Sequence, residues 1–487
     1  MEDQNIVSID LGTSKIGLTI ARKDGRTAEV IYYGETPSQG IARGSVQNVR
    51  KAAKAINEAI EKAEDTIHMK ITGAVVNMPK YPIVRKRGVA VMDRDGFSCV
   101  EEGEIETLRQ NAIDACVLDN PEAEKVLEAV SQSYSDEDTF QMSEDDIVGR
   151  SSSRLEGCYD IYIGKKKSLA MIDQAFTEAG RSCGLKLFPA LSVSRSVLTE
   201  DEKKSGVALV DMGAGTTSVT IWKDGVMRWY DSIPFGGRLI TKDIQEICRI
   251  DESLAENIKK AYGACLPERL QSLEDKILRI HNNDNEGGCE LQVKFLSKII
   301  TARMIEIVDA VLYMIQESGY ADRLNSGLVL TGGVSNSCNL STLVKDRSGL
   351  NVRIGTTRTM FTCEGMCDGI SGQEAAASVG MMLMARDCSY ANCTTPMEEE
   401  TADPEISGDL GKLFEETDRE QEKVAEELAA QEAERRRREA EEREAARRRE
   451  EELKKDKKKK AQNEKKGLGF GGKFRSLFDN LTEDEEI

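Results

Sequence analysis

The sequence predicts an α/β protein, and three observations support this fold class. Over roughly the first 395 residues, short β-rich segments bounded by turns alternate with longer segments of helical apolar spacing. Two of the β-rich segments repeat one design, a strand, a Gly-Thr turn and a returning strand, about 200 residues apart. The chain has 487 residues, of which 39% are hydrophobic, which is enough to bury the cores of two to four domains.

The individual elements follow from residue type and spacing. β-branched residues between turn signals predict strands at 5–9, 15–21, 207–210, 218–222 and 328–330. Apolar residues at helical intervals predict helices at 46–63, 169–184, 255–262 and 293–316. The polar, acidic stretch 131–154 predicts loop within an inserted subdomain.

Composition excludes several classes of function. The net charge is −19, from 86 acidic and 67 basic residues, which argues against nucleic acid as a general partner because such surfaces must neutralise phosphates. With only two histidines, catalytic triads are disfavoured and zinc sites built on several imidazoles are nearly excluded. The twelve cysteines are expected to be free thiols in a reducing cytosol. We expect no export signal in the acidic opening segment and no membrane-spanning run.

Each Gly-Thr turn has the residue types that phosphate binding requires. Residues 10–15 have the sequence Asp-Leu-Gly-Thr-Ser-Lys, and residues 211–217 have Asp-Met-Gly-Ala-Gly-Thr-Thr. Glycine lets backbone N–H groups approach a phosphate, the hydroxyls add donors, and the aspartate can hold magnesium through its waters. A third segment, 327–335, ends a strand in paired glycines that suit close approach to a flat ring. Alone, each Gly-Thr turn is better explained by an ordinary hairpin, and the third segment is equally well explained by a plain strand-to-helix turn. The three in this order indicate a nucleotide site.

Two such hairpins, with a glycine pair in the second half, resemble the actin, heat-shock-70 and sugar-kinase superfamily, in which two ribonuclease-H-like domains clamp ATP. The resemblance covers most of residues 5–385. Segments 197–202 (VLTEDE), 234–244 (PFGGRLITKDI) and 255–263 (AENIKKAYG) narrow it to the FtsA family of bacterial cell-division proteins. The implied fold is actin-like, with two duplicated ribonuclease-H-like domains around a nucleotide cleft, an inserted 1C subdomain, and a C-terminal charged linker plus amphipathic helix.

The resemblance also implies the domain boundaries. Subdomain 1A would comprise residues 1–80, 165–204 and 369–395, interrupted by the inserted 1C subdomain at 81–164. Subdomain 2A would comprise residues 205–244 and 319–368, on either side of subdomain 2B at 245–318. An abrupt change to charged residues and alanine separates this body from a linker at 396–466 and an amphipathic segment at 467–487. The linker is expected to be a solvated helix or a disordered spacer, with a partner-binding helix as the alternative.

Carried over motif by motif, the resemblance implies ATP and Mg²⁺ as ligands. Asp10 and Asp211 would serve the magnesium ion. The residues implied for the phosphates are Gly12, Thr13, Ser14, Lys15, Gly213, Gly215, Thr216 and Thr217. Glu256 and Lys259 resemble the ribose and adenine contacts, and Gly332 and Gly333 the adenosine platform. For Glu256 and Lys259 the alternative is a solvated helix face.

No catalytic residue is assigned. Many superfamily members have a glutamate directly before a proline ahead of the second hairpin, where it helps to position the attacking water. Here the corresponding dipeptide is Phe188-Pro189, and residues 191–198 contain no carboxylate or amide. We therefore expect tight ATP binding and turnover well below the roughly 10 per second typical of enzymes.

The C-terminal segment has the spacing of a membrane-binding helix. Its large apolar residues recur at intervals of 4, 3, 1 and 3, which places them on one helical face: Phe470, Phe474, Leu477, Phe478 and Leu481. Residues 454–475 hold ten basic and two acidic residues, a local charge of +8 that favours anionic lipid. Packing of this stripe against the protein's own body is the alternative.

The resemblance implies a cytoskeletal adaptor on the cytoplasmic side of the cell membrane at the division septum. It would form filaments with itself, bind FtsZ, attach FtsZ filaments to anionic lipids and help to recruit later division proteins. The FtsZ peptide would dock on subdomain 2B near Lys294, Lys298 and Arg303, although ordinary solvated lysines explain the pattern equally well. A sugar-kinase-type phosphotransferase, a peptide-binding chaperone and the related pilus adaptor PilM are the alternative classes.

Overall fold

The computed structural model of the protein describes residues 5–24, 27–273, 275–280, 289–358, 360–388, 390 and 393–396. The predictions for the amphipathic segment and for the charged linker beyond Pro396 lie outside these residues. Residues 1–397 form one compact unit, which contains every element described below.

The strands follow from β-branched and aromatic segments between turns. In chain order they are β1 (Asn5–Leu11), β2 (Lys15–Asp24), β3 (Thr27–Pro37), β4 (Ile41–Ala42), β5 (Ser45–Val46), β6 (Met69–Ile71), β7 (Gly73–Asn77), β8 (Val84–Cys99), β9 (Glu124–Ser135), β10 (Ser151–Lys165), β11 (Ser182–Leu187), β12 (Val207–Met212), β13 (Thr217–Lys223), β14 (Val226–Ile233), β15 (Ile277–Ile280), β16 (Cys289–Gln292), β17 (Leu328–Thr331), β18 (Val352–Ile354), β19 (Thr362–Met366) and β20 (Thr394–Pro396).

The helices connect and cover these strands. In chain order they are α1 (Val49–Ile67), α2 (Glu102–Asp114), α3 (Glu144–Ile147), α4 (Lys166–Glu178), α5 (Pro189–Val197), α6 (Glu200–Ser205), α7 (Gly237–Cys248), α8 (Glu252–Tyr262), α9 (Val293–Glu317), α10 (Leu340–Ser348) and α11 (Ala376–Asp387). In the part of the chain that the structure describes, no helix combines the length and the apolar character needed to cross a bilayer.

The two halves of the body repeat one sheet topology. The first sheet has the strand order β11-β7-β1-β2-β3, with β19 added at its edge, and the second has the order β18-β17-β12-β13-β14. In each half the first three strands are parallel and the next two pair antiparallel. This duplication confirms the predicted actin-like fold class.

Helices cover both faces of the first sheet, and this explains its continuous apolar strands. Val7 and Ile9 of β1 pack in the cluster that includes the buried face of α1, whereas Ile6 packs in the cluster that includes α11. Helix α1 begins after Asn48, whose side chain accepts a hydrogen bond from the N–H of Lys51 at 3.0 Å.

The inserted segment between β7 and α4 is a small α/β unit. Its sheet has the order β8-β10-β9, all antiparallel, and α2 packs against one face. An aromatic cluster joins the insert to both halves, because Tyr162 of β10, Phe188 before α5 and Tyr230 of β14 lie with ring centroids 5.0–6.0 Å apart.

Two of the predicted helices have clearly different bounds in the structure. The helix predicted at 169–184 ends at Glu178, because Gly180 takes a φ of +67° and the chain then forms β11. The helix predicted from residue 46 begins at Val49, since Ser45 and Val46 form β5. The segment 131–154 includes loop, as predicted, and its two ends belong to β9 and β10.

The aromatic cluster generates a stability prediction. Phe188 is 1% exposed, so Phe188→Ala leaves a cavity where the insert and both halves meet, and we expect a loss of about 3–5 kcal/mol in the free energy of unfolding. Phe140→Ala removes the same atoms from a side chain that is 75% exposed, so it should change stability by less than about 0.5 kcal/mol. Urea unfolding of both variants checks this, and equal midpoints would contradict it.

Candidate functional site

The two Gly-Thr turns face each other across one cavity of about 720 Å³ between the halves of the body. The turn between β1 and β2 and the turn between β12 and β13 both line it, as do the segment after β7 and the segment after β17. The two turns approach so closely that a Cβ on Gly215 would lie 2.4 Å from the hydroxyl oxygen of Thr13. Only glycine leaves room at that position.

Parallel pairing explains why these segments meet. Strand β7 runs parallel to β1, and β17 runs parallel to β12, with Thr331 opposite Asp211. The carboxyl ends of parallel strands lie at one edge of a sheet, and ligands in open α/β sheets bind at that edge. Asp10 and Asn77 therefore come from neighbouring strand ends in the first half, and Asp211 and Gly332 from neighbouring strand ends in the second.

Two carboxylates and one lysine lie at the centre of the cavity. The Nζ of Lys80 lies 2.6 Å from the Oδ2 of Asp211, and the two side chains are only 17% and 12% exposed. Burial raises the pKa of Asp10, the nearby Asp211 raises it further, and Lys80 opposes both effects. Burial alone would lower the pKa of Lys80, but Asp211 and Asp10 outweigh burial and raise it.

Asn77 adds a polar group with spare bonding capacity. Its side chain is 6% exposed, and its Oδ1 accepts a hydrogen bond from the hydroxyl of Ser192 at 2.8 Å. Its Nδ2 lies near Asp10 but has no acceptor with hydrogen-bond geometry among the described residues. A buried amide donor of this kind is suited to an anionic oxygen entering the cavity.

The glycine pair after β17, Gly332 and Gly333, lines the cavity without side chains that would fill it. Gly332 has a φ of +82°, and a Cβ there would lie 2.6 Å from the Oδ1 of Asp211 and 2.7 Å from the carbonyl oxygen of Met212. Any side chain would therefore displace the carboxylate or the strand. Gly333 also lines the cavity.

Glu256 and Lys259 line the cavity on the side of α8. The Nζ of Lys259 donates to Glu256 at 2.6 Å and to the hydroxyl of Thr241 at 2.8 Å. Burial opposes the charge on Glu256, but the hydrogen bonds from Lys259 and Thr241 outweigh burial and lower its pKa. Burial lowers the pKa of Lys259, although Glu256 opposes this shift.

Most of the residues predicted for the nucleotide and the metal line this one cavity. They are Asp10, Gly12, Thr13, Ser14, Lys15, Asp211, Gly213, Gly215, Thr216, Glu256, Lys259, Gly332 and Gly333. Thr217 differs, because it is fully buried and its hydroxyl donates to the carbonyl oxygen of Phe235 at 2.8 Å. Lys15 lies at the cavity but pairs with Glu35 and, at 2.7 Å, with Glu374.

The residue types fit a magnesium nucleotide. Mg²⁺ typically keeps several waters and takes one or two protein carboxylates plus phosphate oxygens. Asp10 and Asp211 supply two carboxylates, and Gly215 and Gly332 present main chain without a side chain to the cavity. No cluster of three or more potential metal-ligating side chains occurs within the described ranges.

The residues predicted for partner binding lie on α9, away from this cavity. Lys294 is half-buried and Lys298 is exposed. Arg303 is bound to Asp243 by two hydrogen bonds of 2.6 and 2.9 Å and also pairs with Glu306. Arg303 therefore fastens α9 to α7, and Lys298 is the more accessible cation of the three.

Sequence reasoning missed Asn77, Lys80, Glu35 and Glu374, all of which line the cavity. The signal for the first two was an apolar strand, Gly73–Asn77, that ends in an amide and is followed shortly by a lysine. Nothing in the spacing indicated the two glutamates, because they meet Lys15 only through the tertiary fold.

Comparisons with known proteins agree with this architecture. A profile of the family described as "Cell division protein FtsA" matches residues 208–380. The cell division protein FtsA of Neisseria meningitidis is 29% identical over 394 residues, covering 79% of this chain and 91% of that protein. That of Pseudomonas aeruginosa is 29% identical over 387 residues, covering 78% of this chain and 88% of that protein.

A solved structure shares the fold. The PilM–PilN type IV pilus biogenesis complex superposes with a TM-score of 0.57 at 14% identity, covering 78% of this chain and 98% of that one. At this identity the likeness concerns the fold alone. By the matching family profile, by the relatives over most of the chain, and by its duplicated halves and their insert, this chain is similar to the FtsA family of cell-division proteins.

Proposed function

We propose that this protein binds ATP with Mg²⁺ in the cavity between its halves and acts as an actin-like membrane adaptor for FtsZ filaments in cell division. The observation that carries the nucleotide part is the convergence of two Gly-Thr turns, two aspartates and a glycine pair on one cavity of about 720 Å³. A cavity of this size suits a nucleotide. The partner and membrane parts rest on the similarity to the FtsA family and on the sequence of the C-terminal segment.

The residues have separate roles in this proposal. Backbone N–H groups of the two turns, with the hydroxyls of Thr13, Ser14 and Thr216, would hold the phosphates. Asp10 and Asp211 would hold the magnesium ion, which neutralises phosphate charge when bound. Glu256 and Lys259 would contact the ribose and base, and Gly332 with Gly333 would let the backbone approach the adenosine. Thr217 is assigned no phosphate contact because its hydroxyl is already used.

Slow turnover is part of the proposal. Phe188 is buried in the aromatic cluster, and α5 brings no carboxylate or amide to the cavity; its lining residue is Val193. Glu35 and Glu374 do reach the cavity, but both pair with Lys15, which disfavours them as general bases for water. ATP would then serve mainly to hold the two halves together, and bound nucleotide would favour self-assembly into filaments.

Attachment to the membrane would come from many weak tails. Partial insertion of an apolar stripe and attraction of basic residues to anionic lipid give one tail reversible binding. A filament presents many tails at once, which converts weak binding into stable attachment. This arrangement would place the protein at the cytoplasmic face of the membrane at the division septum, where FtsZ and later division proteins would meet it.

Nucleotide binding is tested by adding one methyl group. Gly332→Ala puts a Cβ 2.6 Å from the Oδ1 of Asp211, so we expect ATP affinity to fall at least about tenfold in an equilibrium titration with Mg²⁺. Gly349→Ala is the matched control, because Gly349 also has a positive φ, +69°, but its Cβ would meet nothing within 4 Å. The backbone strain is greater in Gly332→Ala, because Gly332 has a ψ of 166° whereas Gly349 has a ψ of 1°. Equal ATP affinities of the two variants would refute the assignment of the cavity.

The adaptor function is tested by sedimentation with vesicles of anionic lipid, with and without FtsZ. The full chain should pellet with the vesicles and carry FtsZ down. Phe474→Glu, or deletion of residues 467–487, should abolish pelleting with lipid and leave ATP binding intact, because the apolar stripe is interrupted or absent. High salt should weaken attachment without eliminating it. Undiminished pelleting of the deletion variant would refute the anchor.

The FtsZ contact on α9 is tested by charge reversal. Lys294→Glu with Lys298→Glu should reduce FtsZ co-pelleting several-fold, because a rim charge of the wrong sign disfavours association. Lys54→Glu with Lys62→Glu on α1 applies the same charge change to another exposed helix surface and should leave FtsZ binding unchanged. Unchanged binding in the α9 variant would exclude these two lysines from the contact.

A further inference from the structure

The segment from Asn77 to Lys80 is a third polar element at the cavity, separate from the two Gly-Thr turns. It follows β7, whose end neighbours the end of β1, and it leads into β8 of the insert. Asn77, Met78 and Lys80 all line the cavity. Asn77 and Lys80 belong to neither Gly-Thr turn, so the turns do not explain why these two polar residues lie at the cavity.

The ammonium group of Lys80 is the cation that balances the negative charge of Asp211 and Asp10. Its Nζ lies 2.6 Å from Asp211, and Asp10 is close enough for its charge to act on Lys80. A metal ion held by both aspartates would take over their negative charge. The buried ammonium would then require another anion, because an unpaired buried charge is costly.

The main chain holds Lys80 in place while its side chain remains free to change partner. The carbonyl oxygen of Lys80 accepts hydrogen bonds from the hydroxyl of Tyr230 at 3.1 Å and from the hydroxyl of Ser232 at 2.5 Å. Both donors belong to β14 of the second half. Lys80 therefore connects the end of β7 to the opposite half through its backbone as well as through its ion pair.

Asn77 independently indicates an anionic ligand at the same place. Asn77 is 94% buried, and its oxygen accepts from Ser192. Its Nδ2 lies beside Asp10 and lowers the pKa of that carboxyl, but no acceptor among the residues described meets it with hydrogen-bond geometry. A buried amide donor left without an acceptor costs free energy that a phosphate oxygen would recover. One cationic and one neutral donor thus converge beside the aspartates.

We propose that Lys80 and Asn77 form a terminal-phosphate sensor, which binds the last phosphate of a nucleoside triphosphate and thereby distinguishes it from a diphosphate. The inference rests on the proposed function, since it concerns the same cavity. Asp10 and Asp211 would hold a metal ion that neutralises phosphate charge, so groups beside these aspartates would face the terminal phosphate. With a magnesium nucleotide bound, the Lys80 ammonium would exchange Asp211 for an oxygen of that phosphate.

The test compares ATP and ADP affinities, both with Mg²⁺, in the full chain. Lys80→Met should weaken ATP binding about tenfold or more and ADP binding by less than about threefold, because charged hydrogen bonds to one phosphate are lost. Lys186→Met is the matched control: Lys186 lies 2.6 Å from Asp173 and is 22% exposed, so it loses a similar ion pair outside the cavity. It should keep the wild-type ratio of the two affinities.

A second readout needs no nucleotide. Without Lys80 the two aspartates lack a counter-ion, so millimolar Mg²⁺ alone should raise the melting temperature of Lys80→Met by about 2 °C more than that of the wild type. Equal shifts would overturn the counter-ion role of Lys80.

Asn77→Asp provides an independent variant should Lys80→Met not fold. It keeps the side-chain size and the oxygen that accepts from Ser192 but replaces the amide donor with a carboxylate, so it should weaken ATP more than ADP. An unchanged ratio of ATP to ADP affinity in the folded variants, with both nucleotides still bound, overturns the sensor alone. Failure of the wild-type chain to bind either nucleotide overturns the proposed function and the sensor together.

Discussion

Two buried carboxylates, Asp10 and Asp211, end the central strands of the two halves and face one cavity, and the organisation of the cleft depends on this pair. Like charges in a buried site are unfavourable unless a cation lies with them. In the described residues Lys80 supplies that cation from a third strand end, only 2.6 Å from Asp211. The same requirement makes the site receptive to a metal ion.

The duplicated topology explains how such a pair arises. Each half places a Gly-Thr turn directly after a central strand and runs a parallel strand beside it, so each half presents the same kind of polar edge. Because the two edges face each other, one cavity collects the two turns, the two aspartates and the glycine pair, although these segments lie far apart in the sequence. The insert begins just after Lys80 and contacts the second half through Tyr162 and Tyr230. The nucleotide site and the insert thus share one short connecting segment.

Basic residues of α9 that look equivalent in the sequence make different contacts in the structure. Arg303 is held by Asp243 and Glu306, so its guanidinium stabilises the contact between α9 and α7. Lys298, five residues earlier on the helix, is exposed and available to an acidic partner.

Lys15 at the cavity, like Arg303, is engaged by acidic side chains, in its case Glu35 and Glu374. Bidentate and buried pairs of this kind are structural, whereas isolated surface lysines act mainly by attracting partners.

The sequence by itself determined the α/β class, the duplicated hairpins, the resemblance to the FtsA family, and the glycine turns and aspartates of the cavity, because glycine turns, aspartates at strand ends and apolar periodicity are local signals. Only the tertiary structure decided which side chains are free to bind. It brought Asn77, Lys80, Glu35 and Glu374 to the cavity and turned the hydroxyl of Thr217 to the backbone of Phe235.

The tertiary structure also decided where the helix predicted at 169–184 ends. It ends at Glu178, before Gly180, so that Ser182–Leu187 can pair beside β7. These outcomes depend on contacts between residues far apart in the chain, and such contacts leave no fixed spacing in the sequence.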